Sequence, residues 1–137
     1  MIVYPDILID WSLLAKASQF YLQAGFVQKE TPFAIAEKYH TYTKPHDNKS
    51  FVLNQGIFTA EPHELVGSAE QGFIYLLLNG KIQLSERLFS ITPCFRFDTY
   101  DCLHQPWFMK LELFHYSSNT EDLKNMIILV KDFLTSI

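Results

Sequence analysis

The segment Phe95-Arg96-Phe97-Asp98 is followed, after a short loop, by His104-Gln105-Pro106-Trp107-Phe108 and then Leu111-Glu112. An arginine and an acid stand where one candidate strand ends, and a histidine and a phenylalanine where the next begins. A guanidinium can clamp phosphate oxygens. A ring face stacks on a base without reading its hydrogen-bonding edge. The types and spacing therefore suit a nucleotide. Each residue also has a plainer reading. Arg96 could form a surface ion pair with Asp98 or Asp101, and Phe108 could be core. His104 could be a solvated loop residue, and Glu112 a buried, paired acid.

These residues need a hairpin to hold them. Residues 87–95 read as a strand with Pro93 near its end, and residues 108–116 as its partner, with Phe108, Lys110, Glu112 and Phe114 on one face. Upstream, Asp10 is a candidate N-cap, and Leu13, Leu14, Ala17, Phe20, Tyr21 and Ala24 recur at helical spacing before Gly25. Residues 11–24 are thus expected to be an amphipathic helix, and 26–31 a strand closed by Pro32. Residues 40–50 read as a polar loop, and Lys44 and Lys49 as its solvated charges. Residues 51–58 form a weak strand. Residues 68–78 read as a helix capped by Ser68, with Gly80 just beyond. A last helix, 121–134, follows Asn119 or Thr120, with Leu123, Ile127, Val130 and Leu134 as its apolar face.

The 137 residues suggest one domain, and 48% hydrophobic residues argue against disorder. A net charge of −4 supplies no global basic field for nucleic acid. DNA is therefore not expected as a partner, and an RNA contact would have to be local. The two cysteines, Cys94 and Cys102, show neither zinc spacing nor a disulfide framework. A bridge across the hairpin loop is conceivable, but no secretory signal points to an oxidising compartment, so a reducing cytoplasm is expected. His40, His46, His63 and His115 share no ligand spacing, so no metal is assigned to them. No run approaches the roughly 18 apolar residues of a membrane span.

The order helix, Gly-Phe-x-x-x-x-Thr-Pro, helix, hairpin resembles the catalytic core of class II aminoacyl-tRNA synthetases, from about Leu13 to Leu134. Residues 24–33, Ala24-Gly25-Phe26-Val27-Gln28-Lys29-Glu30-Thr31-Pro32-Phe33, look like motif 1. The segment Ser68-Ala69-Glu70-Gln71 resembles the stretch before motif 2. Arg96, Asp98, His104, Phe108 and Glu112 fall at motif 2 spacing, most closely that of the lysyl, aspartyl and asparaginyl group. Thr92-Pro93-Cys94-Phe95-Arg96 is also similar to the seryl enzymes. Two departures stand out within motif 2: Asp98 where glutamate is usual, and Trp107 where an acid usually precedes the phenylalanine.

The resemblance implies an α+β fold, a mixed, mainly antiparallel sheet with flanking helices on one side, as in the N-terminal half of such a core. It implies that Arg96 holds the α-phosphate of ATP and that Asp98 sits by the nucleotide or amino acid. His104 would reach the outer phosphates, and Phe108 would stack on adenine. Glu70 would bind the amino group of an amino acid, with Glu112 beside the substrate. Residues 11–33 would form a homodimer interface or pair with a partner synthetase chain; tRNA is left open. The sequence holds no Gly-x-Gly-x-Gly-Glu-Arg segment of the motif 3 kind. Nor does it hold the acidic pair that usually holds Mg2+ in the family. Residues 1–137 are thus expected to form one truncated domain that binds nucleotide or adenylate without completing aminoacylation alone. Two alternatives remain: a non-catalytic interaction module, and an ATP-dependent amino-acid ligase completed by a partner chain. In the family the motif 1 strand is expected to reach the motif 2 strands only through strands that this sequence lacks. Unpaired edges are therefore expected, relieved by rearrangement, dimerisation or a partner's strands.

Overall fold

The computed structural model describes residues 8–44, 49–53, 62–97 and 104–137. Helix α1 spans Trp11–Gln23 and starts where the Asp10 carboxylate accepts the Leu13 amide at 2.9 Å. It stops at Gly25, whose φ of +85° suits a residue without a β-carbon. Ala17 and Tyr21 are buried along its inner face, and Phe26 follows them into the core.

Strand β1 is short, Val27–Gln28, and pairs in parallel with β5, Arg87–Phe95, through Val27 opposite Leu88 and Gln28 opposite Phe89. Beyond it the contact passes to other groups. The Lys29 amide donates to the Phe89 carbonyl at 2.8 Å. The buried hydroxyls of Thr31 and Ser90 meet at 2.8 Å, and Thr31 reaches Thr92 at 3.4 Å. These hydroxyls replace the ladder expected over 26–31 and satisfy polar atoms that would otherwise be buried unpaired. The direct β1–β5 pairing corrects the expectation that the first strand reaches the hairpin only through missing strands. The intervening chain lays β5 directly beside it.

Strand β5 pairs antiparallel with β6, Trp107–His115, along nine residues, from Arg87 opposite His115 to Phe95 opposite Trp107. The main sheet therefore runs β1-β5-β6, mixed in direction and antiparallel over most of its length. The chain between β1 and β5 adds β2 (Ala34–Ala36), the short helix α2 (Glu37–His40), β3 (Val52–Leu53) and β4 (His63–Leu65). β2, β4 and β3 form a second antiparallel sheet in that order. It is tied to the first by Phe95 donating to the Val66 carbonyl at 2.8 Å and Val66 to the Phe33 carbonyl at 2.9 Å. Of the strand expected over 51–58, residues 52 and 53 are found, while 54–58 lie outside the described residues.

Helix α3, Ala69–Leu78, begins at Ser68, whose hydroxyl accepts the Glu70 amide at 3.3 Å. At Gly72 it comes so close to the first strand's exit that a β-carbon would stand 2.7 Å from Thr31 Cβ and 3.0 Å from the Pro32 carbonyl. Helix α4, Thr120–Ser136, is capped by the Asn119 side chain, which accepts the Glu121 amide at 2.9 Å.

The helices flank both faces of the sheet, not one. Alternation along β5 decides this: Phe89 points to α1 and α4, and Leu88 to α3. On the first side Phe20, Tyr21 and Phe133 form an aromatic cluster with centroids 5.3–5.7 Å apart. On the second, Phe73 stacks on Phe114 at 5.1 Å. The inward face of α4 is Met126, Leu129 and Phe133. The expected face is displaced, since Leu123, Ile127 and Leu134 are exposed. The helix carries two apolar stripes, and periodicity alone does not say which one Phe20 and Tyr21 will take.

A titratable pair, His40 of α2 and Glu64 of β4, is buried at the small sheet. His40 is 1% exposed, its Nε2 bonds to the Glu64 carbonyl at 3.3 Å, and its Nδ1 stands 3.7 Å from Glu64 Oε2. Burial lowers its pKa from the usual 6.5, with the Glu64 carboxylate working the other way. A histidine that stays neutral when folded but protonates when unfolded stabilises the fold only above its unfolded pKa. The melting temperature should therefore fall as pH drops through about 6.5. That slope should be smaller in His40→Gln, as followed by circular dichroism at several pH values.

Candidate functional site

The end of β5, the middle of β6 and the first turn of α3 converge on a cleft of about 400 Å³. Glu70, Arg96 and Glu112 all line it, so three of the residues singled out in the sequence meet in one place. Strand alternation explains one of them, Glu112: Phe108, Lys110, Glu112 and Phe114 share the face of β6 that looks toward α3. Phe108 adjoins the cleft through Arg96, whose guanidinium lies over its ring at 5.3 Å. His104 precedes β6 and does not line this cleft. Asp98 lies outside the described residues, as do Asp101 and Cys102.

Glu112 is held by its neighbours. Ser68 Oγ donates to both carboxylate oxygens at 2.7 and 2.9 Å, the Ala69 amide donates to Oε2, and Lys110 Nζ lies 2.9 Å from Oε1. This is the paired acid that stood as the plainer reading of the sequence. It also fixes the first turn of α3 to β6, because a carboxylate is favoured at the positive end of a helix. Glu70, one residue beyond the anchored Ala69, is exposed toward the cleft.

The cleft also contains cations that the sequence reading placed elsewhere. Lys44 and Lys49 line it; Lys49 is exposed, as expected of a loop charge, whereas Lys44 is half-buried. Lys44 reaches the buried Glu64 at 3.4 Å, and Lys49 lies 5.9 Å from the Phe97 ring centre. Both contacts join segments distant in sequence, so no local pattern could reveal them. Lys44 and Lys110 are balanced by carboxylates, whereas among the described residues the Arg96 guanidinium rests on the Phe108 ring.

Cys94, opposite Phe108 in the β5–β6 pairing, is a buried free thiol. Burial pushes its pKa up to about 11, which keeps it protonated at neutral pH. Among the described residues, no group of three His, Cys, Asp or Glu side chains is arranged to hold a metal ion. No described helix is long and apolar enough to cross a membrane.

The sequence profile of the family "tRNA synthetases class II (D, K and N)" matches residues 6–137. The chain belongs to the class II tRNA synthetase family. A comparison with curated proteins returns no match. Among solved structures, it is similar to the pyrrolysyl-tRNA synthetase of Desulfitobacterium hafniense, with 22% identity over 89% of this chain and 46% of that one, TM-score 0.68. It is also similar to the cytoplasmic serine-tRNA ligase of Naegleria fowleri in complex with AMP, with 19% identity over 91% and 30% of the two chains, TM-score 0.74. A third is the histidyl-tRNA synthetase of Nostoc sp. PCC 7120, with 12% identity over 100% and 34%, TM-score 0.71. These likenesses establish the synthetase-core fold. The chain spans less than half the length of each of these structures.

Proposed function

We propose that the cleft binds an adenine nucleotide, an amino acid or their adenylate, and that this chain does not complete aminoacylation alone. The observation that carries the reading is the meeting of Glu70, Arg96 and Glu112 in one cleft, with Phe108 under the arginine. Arg96 is the group for the α-phosphate, because two anions must approach each other when a carboxylate attacks phosphorus. The carboxylate of Glu70 suits an ammonium group, since it accepts hydrogen bonds and carries the opposite charge. Glu112 acts here by holding the turn that presents Glu70.

The ring of Phe108 is covered by Arg96 in this structure. A nucleotide would exchange that contact for two better ones. A cation over an exposed ring contributes about 0.5–1 kcal/mol. A hydrogen bond to a charged group contributes about 1.5–3 kcal/mol. The guanidinium would thus move to the phosphate and leave the ring face to adenine. In this reading His104 and Asp98 approach the outer phosphates and the amino acid, and Mg2+ would arrive on the nucleotide.

A second reading, an interaction module, is favoured by the exposed Trp11, Leu22, Val27 and Phe33 within residues 11–33. Four large apolar side chains on one short segment suit a homodimer or a pairing with a full-length synthetase. A third reading, a ligase completed by a partner chain, requires amino-acid-dependent pyrophosphate exchange only when the partner is present.

Thermal-shift screening against ATP, AMP and the amino acids separates these readings, because a ligand that binds the folded state raises the melting temperature. Saturable stabilisation by a nucleotide is expected. No shift with any of them would leave the interaction module standing.

A further inference from the structure

We propose that a second copy of this chain pairs with the free edge of β6, joining two sheets into one of six strands with the two α4 helices side by side. This surface lies on the opposite side of the sheet from residues 11–33, beyond β6 rather than β1.

Among the described residues β6 is an edge strand, and it is long, nine residues without a proline. Such an edge presents unpaired backbone donors and acceptors and is a template for another strand. Its sequence is close to a palindrome about Leu111: Phe108-Met109-Lys110-Leu111-Glu112-Leu113-Phe114. An antiparallel copy related by a two-fold axis at Leu111 sets Lys110 opposite the second copy's Glu112 and Phe108 opposite its Phe114. It also sets Met109 opposite the copy's Leu113. Opposite charges and aromatic pairs directly across a ladder are stabilising, and like charges are not. In this register every facing pair is complementary. A two-fold axis places the same patch on both partners, so one self-complementary strand is enough.

The helix supplies an independent observation. Leu123, Ile127, Leu134 and Ile137 are each 59–60% exposed and, with Val130, recur at intervals of four and three residues. At about 100° per residue this stripe lies roughly a quarter turn from the buried Met126, Leu129 and Phe133. It therefore points sideways along the sheet. It cannot face α1, because the Phe133 side already packs on Phe20 and Tyr21 there. With α1 excluded, the proposed pairing has this exposed stripe on the β6 side of α4.

The distances also agree. α4 packs over both β5 and β6, on Phe89, Leu111 and Leu113. With strands about 4.8 Å apart, a helix above the β5–β6 pair stands about 10 Å from its symmetry mate. That is a normal separation for packed helices, about 8–10 Å. Strand pairing and helix packing are thus satisfied by one symmetry operation.

Light scattering on the purified chain should give twice the 16.0 kDa chain mass. The double variant Ile127→Glu, Leu134→Glu should halve that mass, while Leu22→Glu should not. Both sets of positions are exposed, and circular dichroism checks that each variant folds. In the unsubstituted protein, hydrogen exchange of the β6 amides not bonded to β5 should slow at least tenfold between dilute and concentrated samples. A monomer up to about 100 µM, a concentration at which standard-size interfaces are formed, overturns the proposal. So does a dimer that Leu22→Glu dissociates and the α4 double variant leaves intact.

Discussion

Arg96→Ala is expected to lower nucleotide affinity by roughly 100-fold or more, and to remove the thermal shift produced by ATP or AMP. Among the described residues four cations line the cleft, and two of them are balanced in place. Lys44 lies 3.4 Å from Glu64, and Lys110 lies 2.9 Å from Glu112. Among the described residues Arg96 lies over the Phe108 ring and no carboxylate pairs with it, so a phosphate there would displace only the ring contact. Two charge-assisted hydrogen bonds at about 1.5–3 kcal/mol each, with a tenfold change per 1.4 kcal/mol, support at least that factor. Isothermal titration of ATP into both proteins measures it directly. Arg96→Lys should recover part of the affinity, because it keeps the charge and loses the planar fork. Equal affinities for the unsubstituted protein and Arg96→Ala would sink the assignment. The melting temperature without ligand should change little, since the arginine sits at the end of β5 and fills no core.

The second large effect belongs to the core. Phe89→Ala should destabilise the fold by about 3–5 kcal/mol, a large share of the 5–15 kcal/mol typical of whole domains. Phe89 is fully buried on the central strand, between Gln28 on one side and Leu113 on the other. Its ring lies 6.3 Å from Tyr21 and within the cluster that joins α1 to α4. Truncation removes the contact that both helices share, and a strand paired on both edges cannot shift to fill the void. Leu78→Ala, at a position 54% exposed on α3, is the control and should change stability by less than about 0.5 kcal/mol. Urea unfolding of the three proteins decides the matter. A Phe89→Ala change no larger than that of Leu78→Ala would contradict this account of the core.

Much of the main sheet and its helices was legible because local rules and tertiary packing agree there. The helix at Trp11–Gln23 carries its cap and its stop in sequence, Asp10 and Gly25. Strand Arg87–Phe95 matches its expected bounds, since all nine residues pair with β6 and Leu88 and Phe89 pair with β1 as well. Shared orientation on β6 follows from a period of two. The small sheet was not legible. Its strands are two or three residues long, and their pairing joins segments such as Ala34–Ala36 and His63–Leu65. No periodicity can show in so short a run. The inward face of α4 was not legible for a different reason: two stripes satisfy the helical period, and the buried one packs on aromatic side chains of another helix. In the cleft, the types of Arg96, Glu70 and Glu112 signalled chemistry. The bonds that hold Glu112 to Ser68 and Ala69 span more than forty residues and left no trace in spacing.

The parallel pairing of β1 with β5 also shapes how the chain must assemble. Between Val27 and its partner Leu88 the chain runs through the whole small sheet and α3. Closing so long a segment costs chain entropy before any contact repays it. The β5–β6 hairpin closes a far shorter loop and carries most of the sheet's backbone bonds. The hairpin is therefore expected to form early and the N-terminal helix to dock late. Of the two sides of the molecule, the one bearing α1 is then the last secured in folding and the first released when the protein opens.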